Sequence, residues 1–117
     1  MRILCLEDNP TNVALVERIV GMTDHHLSVD SSAEHAYAAI CSGNFDLILL
    51  DVELDGMDGL ELVRQVRSEG VNVSIVALTA YAMAGDKERI LAAGCTDYLS
   101  KPINVGEFLA LLEKYAG

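Results

Sequence analysis

Short apolar runs separated by stretches of helix length constrain the fold more than any other feature of this sequence. The runs are Ile3–Leu6, Leu27–Val29, Leu47–Leu50, Val73–Leu78 and Tyr98–Leu99. Several are continuously apolar rather than alternating, which is the pattern of strands covered on both faces in a parallel sheet. The stretches between them are amphipathic and carry helix punctuation. Asn9 followed by Pro10 reads as a cap and a first helical residue. Ser31 with Glu34 reads as a capping box, and Gly43 ends that helix. Asp58 opens a segment carrying Leu60, Val63 and Val66, and Gly94 closes the one carrying Ile90 and Leu91. Asn104 with Glu107 opens the last segment, whose stripe of Phe108, Leu111, Leu112 and Tyr115 has helical spacing.

Repeated strand–helix units predict an α/β fold with helices on both faces of a parallel sheet and right-handed crossovers. The expected architecture is a flavodoxin-like doubly wound (βα)5 domain over residues 1–117, with strand order 2-1-3-4-5. The length of 117 residues suits one compact domain. No repeat, linker or low-complexity stretch interrupts it. With 51% hydrophobic residues and no tryptophan, the core must be built from Val, Leu, Ile and Ala.

The net charge of -10 argues against nucleic-acid contact and against docking on an anionic membrane. It suits cations or basic protein partners, although much of it serves solubility. The cysteines Cys5, Cys41 and Cys95 form no paired motif, so a reduced, cytoplasmic chain is expected, with Cys5 in the core. The start at Met1 leads directly into a strand and does not read as a signal peptide.

In a sheet of this kind, ligands bind at the carboxyl ends of the strands. The polar residues fall there: Glu7 and Asp8 after the first run, Asp51 after the third, Thr79 after the fourth, Ser100 and Lys101 after the fifth. The expected strand order brings Glu7, Asp8 and Asp51 together, with Thr79 and Lys101 on the other side. Converging carboxylates repel, so one protonates or a cation enters. Oxygen ligands suit Mg²⁺, with Mn²⁺ as an alternative ion. A carboxylate can also attack phosphorus to give an aspartyl-phosphate, with a lysine and a hydroxyl holding phosphoryl oxygens. Each residue alone has an ordinary explanation as a turn former, a helix cap or a solvated charge. Their joint placement at the ends of four strands is what argues for a site.

With Glu7-Asp8-Asn9, Leu47-Ile48-Leu49-Leu50-Asp51, Gly56-Met57-Asp58-Gly59, Leu78-Thr79-Ala80 and Lys101-Pro102 in that order, the sequence resembles the response-regulator receiver family. The stretch from Thr79 to Pro102 is similar to stand-alone cell-division regulators and to the receivers of hybrid histidine kinases. The resemblance implies that Asp51 is the phosphoacceptor in a phosphorelay. It implies that Asp8, Asp51 and the backbone carbonyl of Glu53 bind Mg²⁺, with Glu7 reaching it through water. Thr79, the Ala80 amide and Lys101 would hold the phosphoryl group. Thr79 and Tyr98 would form the switch, remodelling the face of the fourth helix, fifth strand and fifth helix. The Lys101–Pro102 bond would be cis. The donor would be a histidine kinase or a histidine phosphotransfer protein, and the output a downstream protein target. His25, His26 and His35 read as surface residues, neither metal ligands nor the phosphodonor.

The sequence departs from the family pattern at Leu54-Asp55, where a proline is usual at position 55. Glu53 and Tyr81 occupy variable positions on the path of an attacking water, and both are expected to tune the lifetime of the phosphoryl group. Two other functions use similar residues. An aspartate-nucleophile phosphatase of the haloacid dehalogenase kind places its nucleophile after the first strand within an Asp-x-Asp pair, which Asp51-Val52-Glu53 does not match. A docking module with a vestigial pocket would not need the full set of acids with Thr79 and Lys101. A flavin site would need a phosphate loop after the first strand, which is missing from the sequence.

Overall fold

The computed structural model describes residues 1–80 and 84–116. The elements run β1 (Arg2–Leu6), α1 (Pro10–Val20), β2 (His26–Asp30), α2 (Ala33–Cys41), β3 (Leu47–Asp51), α3 (Gly59–Ser68), β4 (Ser74–Thr79), α4 (Ala84–Ala93), β5 (Asp97–Ser100) and α5 (Val105–Ala116). The strands form one sheet of order β2-β1-β3-β4-β5, and every pair is parallel. This is the flavodoxin-like arrangement that the alternating runs predict.

Alternation of side chains along each strand divides the core into two layers. Leu4, Leu6, Ile48, Leu50, Ile75 and Ala77 face α2, α3 and α4. Ile3, Cys5, Leu47, Leu49, Val76 and Leu78 face α1 and α5, where Phe108 is completely buried. The central strand β3 is buried at every position, including its last residue, Asp51. Its continuous apolar run follows from that two-sided cover. Edge strand β2 is largely exposed and correspondingly polar. Among the described residues, no helix is long and apolar enough to cross a membrane.

Three helix starts are capped as their sequences indicate. Asn9 Oδ1 accepts from the Thr11 and Asn12 amides at 2.9 and 3.2 Å. Asp58 Oδ1 accepts from Leu60 and Glu61, and Asn104 Oδ1 from Glu107. The capping box at Ser31 does not form. Helix α2 is entered at Ser32, which makes no side-chain capping bond. The Asp30 carboxylate takes over the turn, accepting from the Ser32 amide at 2.8 Å and meeting His35 Nδ1 at 3.0 Å. A charged acceptor so close to the helix start outcompetes a neutral hydroxyl. The fourth strand begins at Ser74 rather than Val73.

Gly59 is required by close packing. A Cβ there would sit 2.5 Å from Val52 Cα, so α3 could not approach the loop that follows Asp51. The first residue of α3 and the site loop are thereby locked together, as the Gly59 amide donates to the Val52 carbonyl at 3.2 Å.

Two outcomes are expected. Phe108→Ala should cost about 3–5 kcal/mol of unfolding free energy, measured by urea denaturation. Burial pushes the Cys5 thiol up to about 12 and the Cys95 thiol up to about 11, whereas Cys41 is exposed. A thiol reagent at about pH 8 should therefore modify Cys41 in the native chain and reach Cys5 and Cys95 only after unfolding. Equal modification of all the thiols in the native state would contradict this packing.

Candidate functional site

Glu7, Asp51 and Thr79 are the buried polar or charged residues among those described. Each sits at or just beyond the carboxyl end of a strand. Register explains their convergence, because Leu6 pairs with Leu50 and Asp51 pairs with Leu78. Asp8 follows Glu7 and is exposed, so it closes the acidic cluster on the solvent side. One carboxylate oxygen from each of Glu7, Asp8 and Asp51 lies within 4.8 Å of the others.

Lys101 enters from the end of β5. Its backbone amide donates to the Thr79 carbonyl at 2.8 Å, which fixes the start of its side chain. Its Nζ stands 2.9 Å from Glu7 Oε2 and 3.2 Å from Asp51 Oδ2. The approach to Glu7 is an ion pair without hydrogen-bond geometry, so Oε2 is buried with no hydrogen-bond donor among the described residues. Glu7 Oε1 accepts from the Asn9 amide at 3.2 Å. Asp51 Oδ1 accepts from the Glu53 amide at 2.9 Å. The Lys101–Pro102 peptide is cis.

Burial pushes the Glu7 carboxyl above its ordinary range, and the Asp51 charge adds to the push while Lys101 and the Asn9 amide oppose it. Burial works to lower the Lys101 ammonium, but the Glu7 and Asp51 carboxylates outweigh it and hold it above its ordinary range. Three carboxylates against one ammonium leave the cluster net negative when all are charged. Its donors are hard oxygens and its outer member faces solvent, which fits a small divalent cation that keeps some of its water.

Other expected site residues fall nearby. Glu53 and Ala80 are exposed at the rim. Tyr81 lies outside the described residues. Tyr98 on β5 is half-buried, with Lys87 Nζ of α4 lying 5.5 Å from its ring centroid. His25 meets the N-terminal amine at the opposite end of the sheet, whereas His35 meets Asp30, whose backbone carbonyl accepts from the Glu7 amide at 3.2 Å. Two features escaped the sequence reading. Lys101 pairs directly with Glu7 as well as with Asp51. Asp55, the departure from the usual proline, donates its amide to Asp8 Oδ2 at 3.4 Å, a bond that proline has no N–H to make.

The model of the response regulator receiver domain matches residues 3–113. The sensor histidine kinase GacS of Pseudomonas protegens is 41% identical over 99% of this chain, which spans 13% of GacS. The polar-differentiation response regulator DivK of Brucella ovis is 32% identical, with 98% of this chain and 95% of DivK covered. Among solved structures, the receiver domain of the sensor histidine kinase PA1611 from Pseudomonas aeruginosa PAO1 has a magnesium ion coordinated in its active-site cleft. It superposes with a TM-score of 0.84 at 34% identity, covering 97% of this chain and 95% of that one. The receiver domain of Ssk1 from Saccharomyces cerevisiae, crystallised with the histidine phosphotransfer protein Ypd1, superposes with a TM-score of 0.88 at 28% identity, covering 98% and 88% of the two chains. The chain belongs to the response regulator receiver domain family and is a receiver of two-component phosphorelay signalling.

The direction of the Glu7 shift gives a signed expectation. A carboxyl whose folded pKa lies above the unfolded one weakens the fold as pH rises from about 4.5 through the folded value. Glu7→Gln removes that loss. In urea melts with chelator present, the variant should gain stability relative to wild type as pH rises above about 4.5. A difference independent of pH would contradict the assignment.

Proposed function

We propose that this chain accepts a phosphoryl group on Asp51 from a partner phosphohistidine, carried by a histidine kinase or a histidine phosphotransfer protein. The observation that carries the reading is the buried Asp51 carboxylate at the end of the central strand, held by Lys101 beside two further carboxylates. A carboxylate oxygen of Asp51 attacks phosphorus, the phosphorus–nitrogen bond breaks, and the electron pair stays on the departing imidazole. Lys101 would transfer its contact from the carboxylates to the incoming phosphoryl oxygens, with Thr79 and the Ala80 amide as further donors. Asp8, Asp51, the Glu53 carbonyl and, through water, Glu7 would hold Mg²⁺, with Mn²⁺ as a substitute. The ion would neutralise charge gathering on the transferring group.

Phosphorylation would draw Thr79 toward Asp51 and let Tyr98 turn inward. That turn gives up the cation–π contact with Lys87 and alters the face of α4, β5 and α5 that a downstream protein would read. The charge of -10 gives no support for nucleic-acid contact by this domain, and its free cysteines suit a reducing cytoplasm. The chain would catalyse its own phosphorylation and dephosphorylation rather than turn over a separate substrate. Glu53, exposed two residues beyond Asp51, would influence the water that later hydrolyses the aspartyl-phosphate. Tyr81 has the same proposed role.

Incubation with a small acyl-phosphate donor and Mg²⁺ should add the mass of one phosphoryl group to wild type and none to Asp51→Asn. A wild type that gains nothing, or a variant that gains equally, would overturn the reading. Removing Mg²⁺ with chelator should suppress the gain. Glu53→Ala should change the decay rate of the phosphorylated form by about threefold or more, read from the same masses over time. An unchanged rate would remove Glu53 from the account.

A further inference from the structure

Arg67 lies in the last turn of α3, half-buried, with no carboxylate partner among the described residues. Its Nε donates to the Gly94 carbonyl and its Nη1 to the Val71 carbonyl, both at 2.9 Å, and its Nη2 reaches Thr96 Oγ1 at 3.4 Å. Thr96 is itself tied to β4. Its Oγ1 accepts from the Ile75 amide at 3.0 Å, and its own amide donates to the Ile75 carbonyl at 2.7 Å. One guanidinium therefore joins the end of α3, the approach to β4 and the turn from α4 into β5. Gly94 fits this clamp closely. It has a φ of +113°, and a Cβ there would lie 2.7 Å from Arg67 Cγ.

All of these contacts lie at the end of the sheet opposite Asp51. Helix α4 is also anchored unevenly along its length. Ile90 and Ala93 are buried in its second half, and Cys95 is buried just beyond it. In its first half Gly85 and Glu88 are exposed, Asp86 and Lys87 are half-buried, and Lys87 reaches over Tyr98.

We infer that Arg67 is a positioning residue for the switch. It pins the C-terminal end of α4 and the start of β5, so a rearrangement begun at Asp51 stays within the N-terminal half of α4 and the Tyr98 side chain. The inference rests on the proposed phosphorylation of Asp51. A guanidinium suits the task because its planar fork serves diverging acceptors from one rigid group, which a lysine ammonium on a flexible stem does not.

Amide hydrogen exchange tests this with and without beryllofluoride and Mg²⁺, a stable stand-in for the phosphoryl group. Wild type, Arg67→Met and Val16→Ala are compared. Val16 is buried in α1, so its variant controls for lost stability alone. In wild type, beryllofluoride should change exchange in residues 84–90 and around Tyr98 while leaving residues 91–96 unchanged. In Arg67→Met the response should extend into residues 91–96, by about threefold or more in rate, and Val16→Ala should keep the wild-type distribution. Should Arg67→Met fail to fold, Arg67→Lys keeps the charge and the stem and is expected to give the same spread. A wild-type response with an unaltered distribution in the Arg67 variant overturns the inference alone. The same spread in Val16→Ala also overturns it. A wild type that shows no response anywhere overturns the phosphoacceptor reading together with this one.

Discussion

A lysine ammonium set between two buried carboxylates holds the functional end of this molecule together. Glu7 and Asp51 come from neighbouring strands, and Asp8 stands just outside them. At about 4 Å and an effective dielectric of about 20, one pair of like charges costs roughly 4 kcal/mol. Lys101 relieves part of that cost, and its position depends on the whole sheet. Strands lie about 4.8 Å apart, so β5 stands roughly 10 Å from β3 across β4. The Lys101 and Asp51 side chains bridge that gap because the Thr79 carbonyl fixes the lysine backbone. The compensation is incomplete, because three carboxylates gather around one ammonium. On the proposed reading, a cation would enter this acidic site, and the cation together with Lys101 would receive a phosphoryl group with its three oxygens.

Much of this was legible in the sequence because burial on both faces leaves a simple trace. The run Leu47–Leu50 has no polar residue until Asp51, so both the strand and its end could be read directly. Asn9, Asp58 and Asn104 were legible because each cap acts within three residues of itself. Ser31 was misread because the competing acceptor, Asp30, is invisible to a rule that looks only for a hydroxyl followed by an acid. Long-range pairings were harder. Lys101 and Glu7 are 94 positions apart in a chain of 117, and nothing local marks them as partners. Nothing local marks Arg67 either, since its contacts with Gly94 and Thr96 arise only when the chain returns to its side 27 and 29 residues later.

The two ends of the sheet differ in what they ask of the chain. The carboxyl ends gather charge, exposed loop residues and a half-buried tyrosine. The opposite ends are tied by backbone carbonyls, a threonine hydroxyl and one guanidinium. On the proposed reading, fixing one end while the other stays responsive would turn a local change of charge into a directed change of surface. The Asp55 departure belongs to the responsive end. Where a proline would stiffen the loop, this chain has an amide that holds Asp8 instead, so the loop is tied to the acidic cluster by a hydrogen bond rather than by ring geometry.

The claim at the centre is that Asp51, and no other carboxylate of the cluster, carries the phosphoryl group. Borohydride reduction of the phosphorylated chain converts an aspartyl-phosphate to homoserine, and tandem mass spectrometry locates the changed residue. The account predicts homoserine at position 51, with Glu7 and Asp8, the other carboxylates of the cluster, and nearby Asp55 unaltered. Homoserine at Asp8 or Asp55, or reduction at no position in a chain that has gained phosphoryl mass, would contradict it.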